Sequence, residues 1–179
     1  VGAGVSVTRG SLWSATYSDL RTEHYFTYTP SPAVSPVVAY GDKVLSKSSV
    51  SAMAKGLEAQ GKRVLGGING DFYVVSTGAP VGLLVTDGSL RSSSDLYNSV
   101  YAVGFYADGT AFIDKPQLAV TATFHGATHA IASVNKVRTA KDGYFLFSED
   151  FSTATQNTSP GVDVILTPLT DNLGQSVQV

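Results

Sequence analysis

Apolar and polar residues alternate in short runs over most of this chain, the period-two pattern of half-buried strands. Val5-Ser6-Val7-Thr8 and His24-Tyr25-Phe26-Thr27-Tyr28-Thr29 open the series. Residues 37–40, 63–65, 81–86, 101–106, 110–113, 117–124, 128–134, 144–147 and 162–166 continue it, rich in the β-branched and aromatic side chains that suit a pleated surface. Residues 174–179 begin one more alternation, so a strand that runs on past them is expected there. Pro30, Pro32 and Pro36 break the pattern early, while Asp87-Gly88 and Asp108-Gly109 sit between alternating runs as tight hairpin turns do. One segment has a different period: Val50, Met53, Ala54 and Leu57 recur at spacings of three and four, with Ser48 or Ser49 before them as a cap and Gly61 after them as a stop. The pattern predicts an α+β, β-rich fold, a mixed or antiparallel sheet meander with one main helix over about residues 49–60.

Composition narrows the class without changing that picture. A chain of 179 residues, 43% hydrophobic and 15% charged, has the make-up of a folded globular domain. It is read as a single domain, because no repeat or linker divides it. A net charge of −2 and a pI near 5.8, without any Lys/Arg cluster, argue against a nucleic-acid partner. There is no cysteine for a disulfide or a thiolate metal site. No apolar run reaches the ~20 residues that span a bilayer. Abundant Ser, Thr, Gly and Tyr with little Lys and Glu suit a secreted or cell-surface protein, and a bacterial one.

Candidate chemistry concentrates in residues 66–88, GGINGDFYVVSTGAPVGLLVTDG. Asn69 and Asp71 stand two apart, on one face if the chain is extended, with Phe72 and Tyr73 beside them. A carboxylate partly desolvated by aromatic rings can act as a general acid. The same residues also make an ordinary loop, Asp71 capping backbone amides and Asn69 serving a turn, and spacing alone favours this simpler role. GGING is not a nucleotide-binding G-x-G-x-x-G, and no phosphate-loop Lys follows it. Asp87 and Asp108 are read as turn residues and His24 as a cross-strand surface residue. His125 and His129 flank Gly126, where either a polar pocket or a two-ring contact across a hairpin is open; a metal site lacks a third ligand nearby. Asn135 and Arg138, after the 128–134 strand, form a second polar pair, and an Arg in a cleft grips phosphate or carboxylate bidentately. No G-x-S-x-G or S-x-x-K pattern supports a serine nucleophile.

Three motifs in order, Ile68-Asn69-Gly70-Asp71-Phe72-Tyr73, Gly78-Ala79-Pro80-Val81-Gly82 and Asp87-Gly88, resemble the I-N-G-x-F-F/Y motif, G-x-P-x-G loop and D-G strand end of the phosphodiester glycosidase domain family. Residues 131–138, IASVNKVR, are similar to that family's strand leading into N-x-x-R, and 144–158 to its aromatic strand and Thr-rich loop. The family often has Gly where this chain has Asp71. Its later N-L-D-G-G-G-S-S-T segment is not among these residues, so the resemblance covers the N-terminal part of the domain. What it implies is hydrolysis of a sugar-1-phosphodiester or related glycosidic linkage by the intact protein, this chain supplying one wall of the site and being inactive alone. Asn69 and Gly70 would then orient substrate, Phe72 and Tyr73 wall the cleft, His125 line it, Arg138 with Asn135 steady the phosphate, and Asp71 assist proton transfer. No cofactor is expected, with a divalent cation on the phosphate left open. A second polypeptide half or a homodimer would cover the exposed edge. The rival expectation is a non-catalytic extracellular module that binds carbohydrate or cell wall through its Tyr and Phe faces.

Overall fold

A computed structural model describes residues 4–94 and 101–167; the alternation at 174–179 lies outside them. The fold is α+β and β-rich, and the described chain divides into two compact units of interleaved segments. The first takes residues 4–37, 49–69 and 103–112, the second 38–48, 70–94, 101–102 and 113–167.

In the first unit, β1 (Val5–Ser14) and β2 (Asp19–Tyr28) form a long antiparallel ribbon in unbroken register from Val5↔Tyr28 to Ser14↔Asp19. The helix α1 (Val50–Ala59) starts where its cap predicts: Ser49 accepts a hydrogen bond from the Ala52 N–H at 3.1 Å. Val50, Met53, Ala54 and Leu57 are its half-buried positions, the same apolar face that the spacing shows. Gly66 and Gly67 serve packing here. A Cβ on Gly66 would occupy the place of the Phe26 ring, and one on Gly67 would come within 2.8 Å of the Val50 side chain. The base of the ribbon is fixed by the Tyr28 hydroxyl, which donates to the Val34 carbonyl at 3.0 Å.

The second unit is built from short strands around a small core of Val44, Ala79, Val134 and Phe151. β3 (Leu84–Thr86) and β4 (Ser89–Ser92) form a hairpin through Asp87 and Gly88, both at positive φ (51° and 70°), as a two-residue primed turn requires. The hairpin of β5 (Ala102–Phe105) and β6 (Ala111–Asp114) has its turn end in the first unit. There Asp108 accepts from the Thr110 N–H and hydroxyl, bonds that hold its carboxyl below the usual range. β7 (Thr121–Phe124) and β8 (Ala127–Val134) meet through His125 and Gly126, again at positive φ (51° and 75°).

The meander ends at β9 (Tyr144–Leu146), which returns to lie parallel to β8 and makes a mixed three-stranded sheet. Three expected strands do not form. Residues 37–40, 63–65 and 162–166 have the right side-chain pattern but no ladder partner among the described residues. In the last of these, Val162 and Ile165 are more than 90% exposed. Within 81–86 only Leu84–Thr86 is strand, because residues 79–81 are engaged in the loop described next.

Candidate functional site

Residues 71–82 form a loop closed on itself. The Val81 N–H donates to the Phe72 carbonyl at 2.9 Å and the Val74 N–H to the Ala79 carbonyl at 2.8 Å, with Tyr73 and Pro80 bridged between them. The tip turns tightly, the Gly78 N–H donating to the Val74 carbonyl at 2.7 Å. Asp71 fastens the neck: Oδ1 accepts the Phe72 N–H at 2.7 Å and Oδ2 the Gly82 N–H at 2.6 Å. Both carboxylate oxygens therefore satisfy backbone amides, the loop-capping arrangement. Gly82 has to be small, since a Cβ there would lie 2.7 Å from that same Oδ2. The loop also presents apolar side chains to solvent: Phe72 is 84% exposed, and Tyr73 and Val75 are exposed beside it.

Beneath the loop lies Lys136, only 4% exposed. Its ammonium donates to the carbonyls of Pro80 and Val81. The segment just after β8 is thus joined to a loop more than fifty positions earlier in the chain. Lys136 was not among the candidates that the sequence singles out. The signal available was a lone lysine between Val134 and Val137, where a strand end enters the core.

Asn135 is 1% exposed and sits at φ 51°. Its amide Nδ2 donates to the Arg91 carbonyl and to the Ser148 hydroxyl, both at 2.8 Å, and its Oδ1 accepts the Ser148 N–H at 2.8 Å. The side chain is a fully bonded interior knot that ties β4, the end of β8 and the segment after β9 together. Arg138 goes elsewhere: Nη2 donates to the carbonyls of Ser159 and Pro160, and the guanidinium lies 6.0 Å from the Phe145 ring centre. The two polar residues of N-x-x-R therefore have different partners.

Asn69 is exposed and belongs to the first unit, Gly70 is exposed and belongs to the second. His125 is an exposed turn residue, whereas His129 stacks on Phe124 with ring centres 4.3 Å apart and leans on Tyr144 at 4.6 Å. Among the described residues there is no group of three or more His, Cys, Asp or Glu side chains that could hold a metal ion.

A second polar cluster joins residues far apart in sequence. Asp150 accepts the Tyr40 hydroxyl at 3.1 Å and pairs with the Arg91 guanidinium at 2.6 Å. Burial pushes the Tyr40 hydroxyl above its ordinary value, and the negative charge of Asp150 adds to that. The hydrogen bond to Asp150 makes the Arg91 guanidinium hold its proton still more tightly. No family model matches this chain, and no curated protein or solved structure matches it either.

Proposed function

We propose that the 71–82 loop and the segment after β8 form one wall of a site for a sugar-1-phosphodiester or a related glycan, in a secreted or cell-surface protein of phosphodiester glycosidase type. The observation that carries this reading is the Lys136 ammonium on the Pro80 and Val81 carbonyls. It brings together the G-x-P-x-G loop and the N-x-x-R segment, on which the resemblance rests. Phe72 and Tyr73 offer exposed ring faces to a sugar, the usual apolar contact for a pyranose. Arg138, steadied by two carbonyls, supplies the positive charge for a phosphate. Glycoside cleavage commonly takes a pair of acid/base groups, and Asp71 is already committed to two amides. Binding without turnover is accordingly the expectation for residues 1–179 alone.

Calorimetric titration with a sugar-1-phosphodiester and with the neutral glycan of the same sugar tests this. The charged ligand should bind more tightly, and Arg138→Ala should erase the difference. Equal affinity for the two ligands, unchanged in Arg138→Ala, would instead favour the second reading, a glycan-binding module. The exposure of Phe72 supports that alternative independently, because ring stacking needs no carboxylate.

A further inference from the structure

The β1–β2 ribbon has ten-residue strands and, among the described residues, no third strand on either side. A lone pair of strands is marginally stable in water, and a long free edge invites pairing unless Pro, Lys or a bulge blunts it. Neither strand contains Pro or Lys, and the register has no bulge. Directly paired residues share a face, so Val7 with Phe26 and Trp13 with Leu20 lie on one side of the ribbon, two polar rungs apart. Trp13 and Leu20, at the far end, are 66% and 69% exposed.

Gly10 lies in the middle of β1, where glycine weakens a strand and often marks a bulge, a tight bend or a close approach by a ligand or another backbone. Nothing described in this chain calls for it: its φ is not positive, and a Cβ at that position would meet no atom within 4 Å. We propose that β1 pairs antiparallel with β1 of a second copy of this chain, about a two-fold axis through Gly10, to make a four-stranded sheet. Such an axis is normal to the sheet, so like faces become continuous. With Gly10 on the axis, Val7 lies opposite Trp13 of the second copy. The row Phe26, Val7, then Trp13 and Leu20 of the second copy crosses all four strands on one face, and symmetry repeats it. Arg9 lies opposite Ser11, so no like charges meet. Moving the axis to Arg9 would set two guanidiniums face to face and put Val7 opposite Ser11, which is unfavourable on both counts. The same operation on β2 centres on Glu23 or His24 and aligns like ionisable groups.

The chain has no cysteine, so a single introduced thiol reports the register. In Gly10→Cys the two thiols would face each other, with Cα atoms about 4.5–5.5 Å apart, within disulfide reach. In Ser6→Cys they would be about 26 Å apart. Sedimentation of the unmodified chain across the micromolar range should show a dimer. Mild oxidation should cross-link Gly10→Cys and not Ser6→Cys, and Val7→Lys with Trp13→Lys should sediment as a monomer with unchanged circular dichroism. A monomeric unmodified chain, a dimer that survives the double lysine variant, or Ser6→Cys cross-linking as readily as Gly10→Cys would overturn the proposal. Because sedimentation of the unmodified chain and cross-linking of the thiol variants do not use the double lysine variant, they decide the matter even if that variant does not fold. The outcome is independent of the ligand reading above.

Discussion

Asp71 reaches eleven positions along the chain to Gly82, accepting its N–H at 2.6 Å and so closing the neck of the 71–82 loop. Removing the carboxylate leaves that amide without its charged acceptor. Asp71→Ala should lose about 1 kcal/mol in urea unfolding, a modest figure for an exposed site, and amide exchange at Gly82 and Phe72 should accelerate. Gly82→Ala should act through the same contact, since the new methyl displaces Oδ2. The double variant should then be little worse than either single one, and full additivity would show that the two positions are not coupled.

Asn135 combines a left-handed backbone with a buried, fully bonded amide. Asn135→Ala should cost about 3 kcal/mol, from unpaired groups at Arg91 and Ser148 together with loss of the short polar side chain that lets Asn tolerate that conformation better than Ala does. Asn135→Gly should recover about 1 kcal/mol of this by relieving the backbone. Denaturation midpoints of the two variants measure the separation.

Tyr40 makes stability depend on alkaline pH. Its hydroxyl titrates higher in the folded chain than its ordinary value of 10.0, so the protonated form is the one that folding favours. The associated stability is fully present below pH 10.0 and is lost as pH rises from there through the raised value. Unfolding curves on either side of that window should show a steeper decline for the unmodified chain than for Tyr40→Phe.

Phe72 is 84% exposed, so its ring contributes little packing. Phe72→Ser should leave the unfolding midpoint within about 0.5 kcal/mol of the parent while weakening glycan binding severalfold. A stability loss with binding intact would place the ring in the fold instead of the site.

What the sequence revealed was local. The Asp87-Gly88 turn and the Ser49-capped helix depend on neighbouring residues, and both are found where the pattern puts them. The runs at 37–40, 63–65 and 162–166 have strand composition too, but periodicity describes a side-chain pattern and says nothing of a partner edge. Glycine density drew attention to 66–88 for a mixed set of reasons: Gly66 and Gly67 are places where Phe26 and Val50 pack, while Gly82 makes room for Asp71. Lys136 and the trio of Tyr40, Arg91 and Asp150 were hidden because their contacts join positions distant in the chain, which no spacing rule connects.

The parallel return of β9 also sets an order of assembly. β7 and β8 are joined through His125 and Gly126 alone, a closure that costs little entropy and takes microseconds. β9 can dock only after residues 135–143 have looped back, and the Asn135 bonds to Ser148 wait on that docking. During synthesis, then, the β7–β8 hairpin can form transiently before its third strand leaves the ribosome, and Asn135 becomes the latch that makes the pairing last once that strand arrives.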